Sequence, residues 1–88
     1  MATFAASLVL PEQVLLEEEV QSVSLRTDDG DAAFLPGHSP LIGAVVPGAV
    51  RFVHEDGTEK RFEVERGLVR VEPDRVVVLV PAAEASST

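Results

Sequence analysis

The chain has 88 residues and is predicted to fold as a single all-β sandwich or barrel of roughly eight to ten short strands. Turn signals containing Gly, Pro or Asp recur about every 8–12 residues, as in sandwiches and barrels. Between these turns, apolar and polar residues mostly alternate, which is the pattern of a strand with one buried face. Three prolines between residues 36 and 47 also exclude a helix there, because proline lacks the amide donor. The composition is 45% hydrophobic with only four Phe as aromatics, so the core should be aliphatic.

The first strand is predicted from Phe4 to Leu10, where every second residue is apolar, and Pro11 ends it. Residues 11–25 fit two structures. Leu16, Val20 and Val23 have the spacing of an amphipathic helix, and Pro11 would suit a first helical turn. As strand, the segment needs a bulge or phase change near Gln21 and Ser22.

A turn is predicted at residues 28–31, where Gly30 supplies positive φ and the aspartates hydrogen-bond their own backbone. A short strand follows from Ala32 and ends before Pro36. The next segment, Pro36 to Gly48, is rich in turns. The apolar residues inside it are expected to cross the core, namely Leu41, Ile42, Val45 and Val46.

A hairpin is predicted around Asp56-Gly57. Its loop must contain an odd number of residues, because an even number would place charged residues opposite apolar ones on the core face. A loop over residues 56–58 would pair Phe52 with Phe62. A loop centred one residue earlier would place Gly57 in the left-handed region and pair Val50 with Phe62. The sequence does not decide between these two loop centres.

The second hairpin begins at Gly67 and turns at Pro73-Asp74 through a two-residue loop. This register pairs Val69 and Val71 with Val78 and Val76, and Leu68 with Leu79. The unbroken apolar run 76–80 indicates burial on both faces, or burial on one face with a partner on the other. The predicted domain is therefore residues 1–81, with residues 82–88 as a disordered tail.

Charge and composition exclude several function classes. The net charge is −8 and the sequence pI is about 4.5, which is unsuitable for nucleic acid or an anionic lipid surface. No run approaches the ~20 apolar residues of a membrane span. No Lys or Arg precedes Arg26, so we expect no signal peptide, and we expect membrane association only through partners.

The residues that could carry chemistry do not form a recognised site. His38 and Ser39 are adjacent in sequence, which does not give a hydrogen-bonded nucleophile–base pair. His38 and His54 lack zinc-ligand spacing, and the acidic turn lacks the ligand order of a calcium loop. There is no cysteine and no phosphate-binding Gly-rich loop. We therefore expect no catalytic residue, no metal and no cofactor.

Several segments resemble the N-terminal β-sandwich domain of the F-type ATP synthase epsilon subunit. The resemblance includes the strand and Pro-Glu pair ending at Glu12, and Leu-Pro-Gly-His-x-Pro-Leu at residues 35–41 after an acidic glycine turn. It continues with Pro47-Gly48 opening a hairpin, and with the Gly67 to Leu79 hairpin. Two departures are Asp31-Ala32-Ala33 after the turn glycine, and a single glycine, Gly67, where the family usually has a pair. The resemblance favours strand for residues 11–25.

The resemblance implies a non-catalytic central-stalk subunit that couples the gamma subunit to the membrane rotor ring (c-ring) in proton-driven ATP synthesis. It implies a peripheral location on the cytoplasmic face of the cell membrane. Turns at one end of the sandwich would contact the ring, whose polar loop carries an arginine in this family. The ring-facing residues would be Asp28, Asp29, Asp31, His38, Ser39 and Leu41. No particular side chains are implied for the gamma contact.

Family members usually continue into two C-terminal helices that regulate the enzyme, and some bind ATP there. The present chain stops at Thr88, so we expect the inhibitory role not to apply to it. Two alternatives remain open: a small β-barrel module that binds a ligand or peptide, and an enzyme whose sites are shared between subunits.

Overall fold

The computed structural model describes residues 2–86, and this part of the chain contains ten strands and no helix. The all-β prediction is confirmed. The strands are β1 (Phe4–Val9), β2 (Val14–Val20), β3 (Ser22–Thr27), β4 (Gly30–Phe34), β5 (Leu41–Val45), β6 (Gly48–Val53), β7 (Glu59–Val64), β8 (Gly67–Glu72), β9 (Arg75–Leu79) and β10 (Ala83–Ala85). Nowhere in residues 2–86 is there a helix long and apolar enough to cross a bilayer.

The strands form one curled sheet in the order β10-β7-β6-β3-β5-β8-β9-β1-β2, with β4 paired to β3 outside this path. All pairs are antiparallel except β1 with β9. Many of the connections between the strands lie at two ends of the sheet. We call the end that contains the connections at residues 10–13, 46–47 and 65–66 the acidic end, after Glu12 and Glu65, and the end that contains those at 35–40, 54–58 and 73–74 the histidine end, after His38 and His54.

The core lies inside the curl and is almost entirely aliphatic, as the composition predicts. Alternate residues of β1, β6, β8 and β9 point inward and are buried. Within residues 2–86, no polar or charged side chain is buried. The sandwich is therefore stabilised by dry packing of Val, Leu and three phenylalanines, Phe4, Phe34 and Phe52.

Residues 14–27 form two strands, β2 and β3, and the helical alternative is wrong. Val20 and Val23 are both fully buried although they stand on opposite phases, so the strand changes face at Gln21. The Gln21 backbone N–H donates to the Val53 carbonyl at 2.7 Å, which satisfies the backbone at this break. The predicted phase change is confirmed at this position.

Both hairpins have the predicted loop parity. In the first, Val50 lies opposite Phe62, which selects the earlier of the two loop centres. Gly57 has φ +90° and its N–H donates to the His54 carbonyl at 2.9 Å, which is the left-handed position of a three-residue loop. In the second, Val69 faces Val78 and Leu68 faces Leu79, as predicted.

Two expectations require correction. Leu41 and Ile42 do not cross the core: they are 43% and 72% exposed, because Leu41 lies at the start of β5 and Ile42 points to the outer face. The predicted disordered tail forms β10, which pairs with β7 through Ala83 opposite Val64. The Ser86 N–H also donates to the Arg61 carbonyl at 2.8 Å. Residues 87–88 of that predicted tail lie outside the described residues.

Candidate partner-binding surfaces

The acidic turn, residues 28–31, joins β3 to β4, and the Asp28 N–H donates to the Ala44 carbonyl of β5 at 3.2 Å. Gly30 has φ +119°, as the sequence predicts. The turn is closed by Thr27 and not by the aspartates: Thr27 Oγ1 accepts from the Asp29 N–H at 3.1 Å and donates to the Gly30 carbonyl at 3.0 Å. Asp31 accepts a hydrogen bond from Arg26 Nε at 2.9 Å. Among residues 2–86, neither Asp28 nor Asp29 has a side-chain partner, so both carboxylates can meet another molecule.

The second predicted site, the Pro36–Leu41 loop, is held at the histidine end by His38. The His38 ring nitrogens lie 2.5 Å from the Leu35 carbonyl oxygen and 2.5 Å from the Glu72 carbonyl oxygen. The ring also meets the edge of Phe4, with centroids 4.9 Å apart. Each ring nitrogen faces a backbone carbonyl oxygen, one in its own loop and one in β8. His38 therefore fastens the loop to the end of β8, and its exposed neighbours Ser39 and Leu41 are left for a partner.

The two predicted loops flank β4, one before it and one after it. The acidic turn leads into β4 at Gly30, and the Pro36 loop leaves β4 after Phe34. Five residues of strand place these points about 13 Å apart. This distance is less than half of the longest extent of the domain, 31 Å. The expectation that both loops contact the same partner stays a prediction.

A row of aliphatic side chains crosses the outer face of β5, β8, β9, β1 and β2, where an antiparallel sheet usually presents polar residues to water. The strand registers place Ala44 beside Leu68, Leu68 beside Leu79, Leu79 beside Val9, and Val9 beside Val14. Ile42 lies diagonally next to Leu68. We call this set the apolar stripe: Val9, Val14, Ile42, Ala44, Leu68 and Leu79.

The apolar stripe is open to solvent although it is continuous. Leu68 is 51% exposed, Val14 53% and Ile42 72%. At the acidic end, it runs into an apolar groove of about 450 Å³ lined by Val9, Leu10, Pro11, Leu79, Val80 and Pro81. Contiguous exposed apolar surface of this kind is typical of a protein–protein contact. The sequence signalled only the β9 part of it, through the apolar run 76–80.

A polar cluster closes the histidine end of the sandwich. Glu18 lies on the inward phase of edge strand β2 and accepts a hydrogen bond from Lys60 Nζ at 2.6 Å. It also bonds His54 Nε2. Both bonds hold the pKa of the Glu18 carboxyl below its usual range, and the bond from Lys60 has the larger effect. Within residues 2–86, no three His, Asp or Glu side chains converge to hold a metal. The cluster therefore ties β2 to the β6–β7 hairpin.

The family model described as "ATP synthase, Delta/Epsilon chain, beta-sandwich domain" matches residues 3–86. The ATP synthase epsilon chain of Desulforudis audaxviator is 46% identical over 83 residues, which cover 94% of this chain and 60% of that protein. The ATP synthase epsilon chain of Bacillus subtilis is 36% identical over 86 residues, with 98% and 64% covered. The chain thus spans less than two thirds of the length of these curated relatives.

Two solved structures show the same fold. A chain of the Euglena gracilis mitochondrial ATP synthase, solved as OSCP/F1/c-ring, has a TM-score of 0.91 at 22% identity, covering 97% of this chain and 54% of that one. A chain of the Tetrahymena thermophila mitochondrial ATP synthase central stalk/c-ring has a TM-score of 0.76 at 12% identity, with 92% and 65% covered. The match of the family model to nearly every residue confirms the resemblance seen in the sequence. The chain belongs to the family of the ATP synthase delta/epsilon chain β-sandwich domain.

Proposed function

We propose that this chain is a central-stalk subunit of an F-type ATP synthase that couples the gamma subunit to the membrane rotor ring during proton-driven ATP synthesis. The epsilon-chain relatives support this, as do fold neighbours solved within ATP synthase c-ring assemblies. In this role the chain has no catalytic residue and transmits torque as a rigid body. It works at the cytoplasmic face of the cell membrane and is held there by its partners.

The apolar stripe carries this proposal, because it is the surface that a permanent partner would cover. Completely burying a Leu or Ile side chain contributes about 1.5–3 kcal/mol. Leu68 and Ile42 are at least half exposed, so a large part of that contribution is still available for binding. Obligate interfaces are built from such aliphatic surface. We assign the apolar stripe to the gamma subunit.

The acidic turn is assigned to the rotor ring. Asp28 and Asp29 are exposed and unpaired within residues 2–86, and Asp31 forms an ion pair with Arg26. A carboxylate cluster complements the arginine that the family resemblance implies on the ring's polar loop. His38, Ser39 and Leu41 remain in the proposal as a second contact at the histidine end, where His38 shapes the loop and the other two side chains touch the partner.

The gamma assignment is tested by replacing Leu68 and Leu79 together with serine. We expect at least a ~10-fold loss of affinity for purified gamma subunit, since each leucine gives up more than a kilocalorie of apolar burial. Coupled ATP synthesis should fall in a complex reconstituted without its own epsilon chain. The matched control is Leu35→Ser, since Leu35 is 57% exposed but lies off the apolar stripe.

The control should bind gamma as the unchanged chain does. Equal binding by the Leu68/Leu79 double variant would remove the apolar stripe from the interface. An unchanged chain that stays monomeric with gamma in gel filtration would count against the proposed function and favour a free-standing binding module.

A further inference from the structure

The apolar stripe runs across the strands of the sheet and not along them. Strands β5, β8, β9, β1 and β2 each contribute one outward residue to it, and Ile42 stands beside that line. Adjacent strands lie about 4.8 Å apart, so five strands give the line a length of about 19 Å. In the same strand order, the next outward row toward the histidine end contains Ile42, Arg70, Val77, Ser7 and Glu17. The apolar stripe is therefore long and little more than one side chain wide.

This shape favours a helix as the segment that covers it. Strands β8, β9 and β1 pair on both sides, so their backbone groups are used within the sheet. A segment lying on this face must satisfy its own backbone hydrogen bonds, as a helix or a second sheet does. A second sheet would need several apolar rows, but the rows beside the apolar stripe carry charge. A helix has one narrow apolar face and covers about 19 Å with about 13 residues.

The charge beside the apolar stripe differs between its two ends, and the β2 end is negative. Glu17 and Glu19 stand on the outer face there and are exposed, and β2 contains no Lys or Arg. Within residues 2–86, Glu17 has no side-chain partner and Glu19 accepts only from the Thr3 hydroxyl, at 2.9 Å. Both carboxylates are therefore available to a basic partner.

The opposite end of this face is positive. Arg70 on β8 and Arg75 on β9 are exposed on the outer phase of their strands. Arg70 Nε lies 3.2 Å from Glu72 Oε2, and Arg75 has no side-chain partner within residues 2–86. Two guanidinium groups stand beside one carboxylate here, so this end can receive an acidic partner.

The two charged ends are spaced so that one helix can reach both. Glu17 and Arg70 lie in the same row and are three strands apart, which separates them by about 14 Å. Between them stand Val77 and Ser7, which carry no charge. A distance of about 14 Å corresponds to about nine or ten residues of helix, or nearly three turns. Residues near the two ends of one helix face therefore come beside both charges.

We infer that the apolar stripe binds an amphipathic helix of the gamma subunit that lies across the five strands, with basic side chains at the β2 end and acidic side chains at the β8 end. The inference rests on the proposed gamma contact and specifies the kind of segment that makes it. Apolar residues at helical spacing cover the apolar stripe. The charges fix the direction of the helix, because the reverse direction would bring like charges together.

The test uses the full chain and two end-blocked peptides of about 15 residues, each with leucines along one helical face. One peptide has Glu at its N-terminal end and Lys at its C-terminal end, and the mirror peptide has these charges exchanged. Each carries a nitroxide at its N-terminus, which broadens the amide signals of the chain nearest to it. The first peptide should broaden Leu68 and Arg70 most. The mirror peptide should broaden Val14 and Glu17 most.

A charge-exchanged chain tests the cause of this direction. R70E/R75E/E17K/E19K makes the β2 end positive and the β8 end negative, so both broadening patterns should reverse. All four side chains are exposed, and circular dichroism verifies the fold. Raising the salt concentration gives a second measurement on the unchanged chain. The preference for one direction should fade with salt, because exposed charges are screened.

The matched control exchanges charge outside the apolar stripe. R51E/E59K/R61E/E63K reverses two ion pairs on β6 and β7 and leaves the net charge unchanged. It should give the same broadening patterns as the unchanged chain. L68S/L79S removes the central leucines of the apolar stripe and should bind both peptides at least ~10-fold more weakly.

The inference is overturned if both peptides bind in the same direction, or if the charge-exchanged chain and its control behave alike. It also fails if a peptide with the same composition, but with leucine at every second position, binds as tightly, because the occupant would then be a strand. Self-association of the unchanged chain that L68S/L79S abolishes would make a second copy the occupant. The proposed function is judged separately, by binding of gamma itself: gamma bound through the apolar stripe without this directional preference would leave that function standing.

Discussion

Replacing Gly67 with alanine is expected to force apart β8 and β9, the two strands that present Leu68 and Leu79 in the apolar stripe. A Cβ built on Gly67 would lie 2.2 Å from the Leu79 carbonyl oxygen and 2.8 Å from Val80 Cγ1. It would also stand 3.0 Å from Val80 Cα. Close C···O contacts in proteins are about 3.3 Å or longer, so the backbone must move by about 1 Å. Two of the three contacts are with backbone atoms, which cannot rotate away.

The expected cost follows from this geometry. Overpacking a well-packed site usually costs about 1–3 kcal/mol, and a clash with backbone belongs at the upper end or above it. We expect a loss of about 3 kcal/mol or more, out of the ~5–15 kcal/mol that stabilises a typical domain. For a chain of this size the midpoint of thermal unfolding should fall by about 12 °C or more.

Gly43→Ala is the matched control. The same construction at Gly43 meets Leu41 Cδ1 and Val69 Cγ1 at 3.5 Å, which is ordinary contact. Alanine there removes conformational freedom from the unfolded chain, so stability should stay unchanged or rise by up to about 1 kcal/mol. The chain has no Trp or Tyr, so unfolding in urea is followed by far-ultraviolet circular dichroism. A Gly67→Ala variant within about 0.5 kcal/mol of the unchanged chain would refute the reasoning.

Two other predictions concern the acidic turn and the Glu18 cluster. Because Thr27 closes the turn, D28N/D29N/D31N should fold normally but assemble on the rotor ring more slowly and with less dependence on salt. The control D74N/E84Q removes charge away from the turn and should assemble as the unchanged chain does. Unaltered assembly of the triple variant at low salt would show that the acidic turn has no steering role. The lowered pKa of Glu18 means that its stabilising contribution is present above the ordinary value of 4.5 and is lost as the pH falls through the folded-state value. E18Q should therefore be less stable than the unchanged chain at neutral pH and equally stable in acid, and equal urea midpoints at pH 7 would contradict this.

Much of the fold could be predicted from local sequence, because strand parity and turn chemistry act over a few neighbouring residues. The two-residue turn at Pro73-Asp74 and the facing of Leu68 with Leu79 follow from parity alone. The phase change between Val20 and Val23 could be located as well, since both are apolar on opposite faces. The loop centre at Asp56 could not, because both odd-length loops kept apolar residues paired. Packing selected the one that places Gly57 at φ +90°.

The binding surfaces depended on which strands became neighbours. The apolar stripe exists because β5, β8, β9, β1 and β2 lie side by side, and these segments are far apart in the chain. The same long-range pairing exposes Ile42 and makes a strand of Ala83–Ala85.

The all-β class, the positions of the turns and the apolar face of most strands follow from residue type at a period of two. Where those faces meet depends on the pairing of strands that are distant in the chain. Pairing placed Ala44 beside Leu68 and Val9 beside Leu79, because hydrogen bonds between distant strands, and not any local preference, bring such residues together.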